Sequence, residues 1–261
     1  MSFFAKKSLG QNFLKSAEAV RDIISAGALS LEDTVVEIGP GKGVLTKKLV
    51  EHAGKVIAIE KDARLIPVLQ ETFKEEIDSG KLEIREEDVL ESDTTTFPQQ
   101  YKVIANIPYY ITGALVRKFL TTHNQPSRMV LLLQKEVAQR IVARDGKESI
   151  LSMSVQAYGT PKYVGTVKAK YFSPEPKVDS GILLIENISK NAFKDIPEDN
   201  FFKVVKTAFA HKRKMAIGNL KDIYTSELLE RAFEKTGVQK TARAEDITLG
   251  QWFSLVKCLN N

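Results

Sequence analysis

Thr34-Val35-Val36-Glu37-Ile38-Gly39-Pro40-Gly41-Lys42-Gly43 sets a β-branched apolar run directly against three glycines. The run Thr34–Ile38 reads as a strand, and a helical pattern takes over at Val44–His52. The loop Glu37–Gly43 therefore follows a strand and opens a helix. Four further strand-like runs lie beyond it, at Lys55–Glu60, Leu82–Arg85, Lys102–Ala105 and Met129–Leu133, with helical patterns at Ala63–Ile77, Thr112–Thr121 and Glu136–Ala143. Continuous Val/Ile/Leu runs alternating with helices indicate buried parallel strands in βαβ units. A sheet of this kind takes its ligand at the carboxyl ends of the strands. After Ser149 the pattern changes. Tyr163–Lys170 and Gly181–Glu186 read as an antiparallel pair closing the sheet across a Pro-rich loop. A polar linker, Asn187–Asn200, leads to helical patterns at Phe201–Ala210, Met215–Leu220, Glu227–Lys235 and Trp252–Leu259. The expected organisation is a large α/β domain over residues 1–188 and a small helical domain over residues 189–261.

The bulk numbers bound the class. With 261 residues, 43% hydrophobic and 27% charged, the chain has the composition of an ordinary globular protein. No apolar stretch approaches the roughly 18 residues that cross a membrane, and the start Met1–Lys7 lacks a secretory apolar region. Cys258 is the only cysteine, which rules out disulfides and cysteine-rich zinc sites; its place in an amphipathic stretch suggests a small buried hydrophobe. His52, His123 and His211 show no metal-ligand spacing. A cytoplasmic, metal-free protein without a membrane anchor is expected. The net charge of +5 is uneven: residues 1–159 carry 21 Lys+Arg against 21 Asp+Glu, and residues 160–261 carry 17 against 12. Basic residues cluster at Lys162, Lys168, Lys170 and Lys177, and at Lys203, Lys206, Lys212, Arg213 and Lys214. Such clusters are commonly solvated faces, but a neutral front with a basic back suits a phosphate-backbone partner.

The chemistry concentrates in four loops that follow strands one to four. Glycines at Gly39 and Gly41 let a ligand approach the backbone and leave helix N-terminal amides free. The spacing is G-x-G-x-G, with Val44 where a dinucleotide fingerprint has its third glycine. A pyrophosphate needs that tighter cradle; S-adenosylmethionine has none and brings a sulfonium and an amino-acid tail. Glu60 ends the second strand, where an acid can hold both ribose hydroxyls. Asp88, followed by Val89-Leu90, can accept from an adenine amine while the apolar neighbours cover the ring, or else is a helix cap or loop acid, one of five acids within Glu83–Glu91. After the fourth strand comes Asn106-Ile107-Pro108-Tyr109. The Asn106 side-chain oxygen and the Ile107 carbonyl can each accept one hydrogen of an exocyclic amine, while Tyr109 stacks on the base. Accepting both hydrogens draws the nitrogen lone pair out of conjugation and makes it a usable nucleophile. A strand end with an X-Pro turn is the plainer alternative. Phe172 offers a second aromatic face opposite Tyr109, or else a core residue; a stacked face stabilises a splayed base by about 1–3 kcal/mol.

With these residues in view, the chain resembles the small-subunit ribosomal RNA adenine N6,N6-dimethyltransferases. The match runs nearly end to end. It covers Lys7-Ser8-Leu9-Gly10-Gln11-Asn12-Phe13-Leu14, the Gly39–Gly43 loop, Asn106–Tyr109 and Phe172-Ser173-Pro174-Glu175-Pro176-Lys177-Val178-Asp179-Ser180. It continues through Phe209-Ala210-His211-Lys212-Arg213-Lys214-Met215 and Arg243-Ala244-Glu245-Asp246. The resemblance implies a Rossmann-like class I methyltransferase sheet of seven strands, mostly parallel, with a small α-helical, RNA-facing C-terminal domain. It also implies that S-adenosylmethionine supplies two methyl groups to each of two adjacent adenines in small-subunit RNA during ribosome assembly. By the same resemblance Asn12 and Leu14 help enclose the cofactor from the N-terminal arm. A departure follows Tyr109: Tyr110 stands where family members often carry a small polar residue.

The expected reaction is direct in-line methyl transfer, with Asn106 and the Ile107 carbonyl orienting the amine and Tyr109 stacking. A monomer acting on the immature small subunit is expected. Three other readings stay open. An erythromycin-resistance-type methylase of large-subunit RNA shares the cofactor loops and the Asn-Ile-Pro-Tyr motif, although the Pro-rich loop and Arg243–Asp246 favour the small-subunit enzymes. DNA adenine methylases typically carry two prolines where Ile107-Pro108 stands. A non-catalytic RNA-binding or assembly factor would not need an intact Glu60 and Asn106–Tyr109.

Overall fold

The computed structural model describes Lys6 and residues 9–260. Lys7-Ser8 of the N-terminal motif, and most of the Met1–Lys7 start read for a secretory signal, lie outside the described residues. The chain forms two compact units. One holds the described residues up to Gln139 together with Thr160–Ile188; the other holds Arg140–Gly159 together with the described residues from Ser189 onward.

The elements follow in chain order. The first unit contains β1 (Phe13–Leu14), α1 (Ala17–Gly27), β2 (Thr34–Ile38), α2 (Val44–His52), β3 (Lys55–Glu60), α3 (Ile66–Thr72), α4 (Lys74–Asp78), β4 (Leu82–Glu86), β5 (Lys102–Asn106), α5 (Thr112–Thr121) and β6 (Arg128–Gln134). After β6 come α6 (Lys135–Ile141) and α7 (Ile150–Gln156), and then β7 (Thr160–Val167), β8 (Phe172–Ser173) and β9 (Ser180–Glu186). The second unit adds α8 (Glu198–Ala208), α9 (Ala216–Leu220), α10 (Ser226–Thr236) and α11 (Leu249–Leu259) to α7.

The seven-stranded sheet has the order β4-β3-β2-β5-β6-β9-β7. Strands β2 to β6 pair in parallel, and β9 runs against both its neighbours. This is the mostly parallel sheet with one reversed strand that the resemblance implied. From β2 the chain builds outward to β3 and β4, then returns to add β5 on the other side. That reversal opens a crevice at the carboxyl ends of β2 and β5. Ile38 pairs with both Ile59 and Ala105, and Glu60 with Glu86, so the loops after β2 to β5 emerge along one edge. The physical cause is burial on both faces: Val35, Val36, Val103, Ile104 and Leu131 are fully enclosed.

The helical pattern Ala63–Ile77 is divided in the structure, with Phe73 (φ −116°, ψ 32°) between α3 and α4. The cause is tertiary. Phe73 is buried, and its ring lies so close to Gly43 that a Cβ there would sit 2.4 Å from Cε2. Gly43 also holds φ +79° at the start of α2. Gly43→Ala is therefore expected to destabilise the protein by roughly 2–4 kcal/mol, adding left-handed backbone strain to overpacking. The check is a lower denaturant midpoint at unchanged slope.

A boundary at residue 188 leaves Arg140–Gly159 with the sheet, whereas in the structure this segment clusters with the C-terminal helices. Its apolar residues explain why. Met153 and Val155 of α7 are fully buried, and the ring of Tyr158 lies 5.1 Å from Phe193 and 5.9 Å from Phe202. Phe201 and Phe253 stack at 4.3 Å in the same aromatic cluster. Phe193 and buried Ile196 come from the stretch read as a polar linker, so that stretch contributes to the core of the second unit. Cys258 on α11 is half-buried, less enclosed than its sequence context suggests. No helix among the described residues is long and apolar enough to cross a membrane.

Candidate functional site

One cleft at the carboxyl edge of the first unit is lined by Asn12, Leu14, Gly39, Gly41, Glu60, Asp88, Asn106, Tyr109 and Phe172. The fold thus brings together all the residues singled out from the sequence as a site. Val89, Leu90, Ile107, Pro108 and Tyr110 complete its wall.

The glycine loop and the end of β3 form one hydrogen-bonded unit. Gly39 N–H donates to the Ile59 carbonyl at 2.9 Å. Glu60 accepts from the Gly41 N–H at 3.1 Å through Oε2 and from the Asp62 N–H at 2.8 Å through Oε1. Each oxygen keeps a lone pair for a further donor. Burial pushes the Glu60 carboxyl above its ordinary value, and the two backbone donors only partly offset this. A side chain at Gly39 (φ +68°) would meet only the Asn106 carbonyl at 3.9 Å, so the loop is open on that side for close approach of a ligand.

Asp62, not foreseen from the sequence, anchors the N-terminal arm. It accepts from Arg64 Nε at 2.8 Å and from Gln11 Nε2 at 2.8 Å. The Arg64 guanidinium is the main reason its carboxyl falls to about 2, so it stays ionised throughout the neutral range.

Glu37 is a second unforeseen residue. It lies within β2, fully enclosed yet on the cleft wall, and its Oε2 has no hydrogen-bond partner. Desolvation pushes its carboxyl up to about 8; the polar groups of Thr46 offset part of this, and the nearby Glu60 adds to the rise. The signal was an acid inside an otherwise apolar strand run. A carboxyl buried without a counter-charge is expensive to ionise and gains strongly from a cation delivered into the cleft.

At the end of β4, Asp88 accepts from Lys61 Nζ at 2.5 Å and from the Leu90 N–H at 2.9 Å. The Lys61 ammonium holds it below the usual carboxylate range. These bonds fix its carboxylate beside buried Val89.

Asn106 closes β5, and the Ile107 N–H makes one more ladder bond, to the Leu132 carbonyl at 3.0 Å. Pro108 has no N–H to continue the pairing, so the chain turns there. Asn106 Nδ2 donates to the Asn12 carbonyl at 3.0 Å. One hydrogen of Nδ2 is thereby engaged by the arm, which orients the amide and leaves Oδ1 as an acceptor. Tyr109 is half-buried on a short 3₁₀ turn, and its hydroxyl meets Ser180 Oγ at 2.9 Å. Burial raises its phenol above the ordinary value.

The arm is laid across this wall. Phe13 pairs with Ser173 and Leu14 with Phe172 in the two-stranded β1–β8 sheet, and Lys15 N–H donates to the Tyr171 carbonyl at 2.8 Å. Phe172 lines the cleft but is 2% exposed, and its ring belongs to the core with Leu14, Val167 and Ile182. The open second aromatic face expected opposite Tyr109 is thus covered by the arm. Tyr110 is 63% exposed and lies against the arm, where a Cβ on Gly10 would come to 3.2 Å.

In the second unit, the segment from Ala210 to Met215 that follows α8 is exposed throughout, including Lys212, Arg213 and Lys214. Buried Asn219 fixes its base by donating to the carbonyls of Ala208 at 2.6 Å and His211 at 3.2 Å. No group of three or more His, Cys, Asp or Glu suited to a metal ion occurs among the described residues.

Comparison with known proteins adds to this geometry. The model of a family described as ribosomal RNA adenine dimethylase matches residues 2–261. The ribosomal RNA small subunit methyltransferase A of Dehalococcoides mccartyi (strain CBDB1) is 37% identical over 258 residues, covering 96% of this chain and 87% of that protein. Among solved structures, the 23S rRNA methyltransferase ErmE is similar with a TM-score of 0.78 and 25% identity, covering 96% of this chain and 100% of that one. A dimethyladenosine transferase from Plasmodium falciparum is similar with a TM-score of 0.77 and 28% identity, covering 93% and 95%.

Proposed function

The chain belongs to the ribosomal RNA adenine dimethylase family, and we propose that it methylates the N6 amines of two adjacent adenines in small-subunit ribosomal RNA, using S-adenosylmethionine. The observation that carries the reading is the Asn106 amide. With one Nδ2 hydrogen engaged by the Asn12 carbonyl, the amide is held in one orientation and Oδ1 is available to accept from an amine. Together with the Ile107 carbonyl it takes both N6 hydrogens, so the nitrogen lone pair leaves the ring system and can attack. Tyr109 stacks on the base.

The cleft fits S-adenosylmethionine on two counts: the unpartnered Glu37 oxygen and the open face of the Gly39 loop. When bound, that cofactor supplies an electrophilic methyl group on a sulfonium. Glu60 takes the ribose hydroxyls with the lone pairs its backbone donors leave free. Asp88, oriented by Lys61 and Leu90, takes the cofactor's adenine amine. Glu37 takes the ammonium of the amino-acid tail, the one cation in that ligand suited to a buried carboxyl. Asn12 and Leu14 cover the cofactor from the arm. Because the donor is already reactive, positioning supplies much of the rate. The exposed cations Lys203, Lys206, Lys212, Arg213 and Lys214 meet the phosphate backbone. The partner is the immature small subunit, met in the cytoplasm by a monomer.

The fold alone does not exclude a large-subunit methylase, since the 23S rRNA methyltransferase ErmE is itself similar with a TM-score of 0.78. Sequence identity supports the small-subunit reading: 37% with a small-subunit enzyme against 25% with ErmE. The deciding experiment supplies labelled S-adenosylmethionine with unmethylated small and large subunits in parallel and analyses the product nucleosides. N6,N6-dimethyladenosine in the small subunit alone is expected. Label in the large subunit overturns the substrate, and label in neither, with cofactor bound, overturns the activity.

A further inference from the structure

We infer that Ser180 is a positioning residue for methyl transfer, its buried hydroxyl holding the Tyr109 ring at the angle at which a splayed adenine meets it. This rests on Tyr109 being the stacking face. Tyr109 and Ser180 are 71 positions apart, yet Oη and Oγ lie 2.9 Å from one another. The two sides of this bond differ in rigidity.

Ser180 is fully buried at the start of β9, paired with Gln134 on β6 and with Val167 on β7. The next residue pins it further. A Cβ on Gly181 would come within 2.8 Å of the Tyr163 ring and 3.0 Å of Ala138 Cβ, so the chain there is wedged on its side-chain face. Tyr109, by contrast, sits on a three-residue 3₁₀ turn and is only half-buried. A ring on such a turn swings about two torsions unless its far end is tied. The hydroxyl is that tie: it transfers the rigidity of the sheet to the stacking face.

Proton relay is not the purpose of the pair. Burial keeps the phenol protonated at neutral pH. The carboxylate whose charge bears on it, Asp179, is engaged by Lys168 Nζ and the Ala169 N–H, both at 3.0 Å. Orientation remains, and for a near-attack geometry orientation is worth rate.

The test compares Tyr109→Ala, Tyr109→Phe, Ser180→Ala and the double variant Tyr109→Phe/Ser180→Ala on unmethylated small subunits, with kcat, KM for cofactor and Tm read for each. Ser180→Ala and Tyr109→Phe should each lower kcat about three- to tenfold, the scale of one neutral hydrogen bond, with KM for cofactor unchanged. The double variant should be no slower than either single one, because both remove the same bond. Tyr109→Phe leaves Ser180 Oγ buried and unpaired and so lowers Tm; the double variant should recover Tm but not kcat. Recovery of both in the double variant overturns the inference, since the bond then serves packing alone. So does wild-type kcat in the two single hydroxyl deletions while Tyr109→Ala is slow, an outcome that leaves the stacking role standing. Wild-type kcat in Tyr109→Ala overturns the stacking role itself, and the inference with it.

Discussion

Asn106→Ala is expected to slow methyl transfer to small subunits by about 10²–10³-fold at saturating cofactor, the scale of losing one preorganised polar group aimed at developing charge. The substitution removes the acceptor Oδ1 and frees the Asn12 carbonyl that the amide now engages. Asn106→Asp is the sharper variant. It keeps an oxygen where the base needs one, but sets a carboxylate oxygen against the Asn12 carbonyl in place of an N–H donor. Two acceptors cannot bond each other, so a comparable loss is expected despite the retained oxygen. Single-turnover rates with the enzyme in excess give the result directly. Near-normal rates in Asn106→Ala, with cofactor binding intact, would remove this residue from the mechanism.

Glu37→Gln is expected to stabilise the cofactor-free protein while weakening S-adenosylmethionine binding at least tenfold. The carboxyl is raised from 4.5 to about 8 by its enclosure. Between those values the folded chain keeps a proton that the unfolded chain has lost, so the wild-type protein loses stability as pH rises through this window. The full effect, reached above about pH 8, is at most about 5 kcal/mol. The buried amide of Gln has hydrogens of its own to satisfy, which takes back about 1–3 kcal/mol. A net gain of about 2–4 kcal/mol at pH 8 is expected, reversing near pH 4 to a loss of about 1–3 kcal/mol, where only the amide cost remains. Urea unfolding at both pH values tests the sign, and calorimetric titration with cofactor tests the loss. Equal stability of wild type and variant at pH 8 would show that Glu37 is not held as a costly buried acid. A side chain that destabilises the empty protein and gains its partner only with ligand is the usual mark of a site kept for function.

The central sheet was legible because parallel strands buried on both faces write themselves as unbroken apolar runs, and β2, β3 and β5 fall where those runs do. The glycine loop, Glu60, Asp88 and Asn106 were legible for a related reason: each lies at the end of such a run or within a few residues beyond it, and strand ends share one edge. What could not be read came from contacts distant in sequence. Phe73 breaks a periodic helix because its ring fills the space at Gly43, some 30 residues earlier in the chain. Arg140–Gly159 looks like the continuation of a βαβ unit, but its apolar residues find aromatic partners beyond residue 190. The β1–β8 pair is two residues long on each side, too short to leave a period in the sequence. Ser180 stood in the Phe172–Ser180 motif of the resemblance, but nothing in the sequence tied it to Tyr109, 71 positions earlier. Glu37 did carry one, as the only charge in its run.

The arm contributes to Asn106 through a main-chain oxygen, that of Asn12. The identity of the side chain at position 12 therefore matters less to this contact than the placement of the strand it precedes. Gln11 meanwhile holds Asp62 beside Glu60, and Leu14 pairs with Phe172. Lifting residues 11–14 to admit or release a ligand breaks all three attachments together. On the role proposed for Asn106, access and competence are thus interlocked: with the arm raised, the amide loses the contact that fixes its orientation. A methyl donor exchanged by that route leaves the enzyme idle until the arm is seated again, so an open cleft is also a disarmed one.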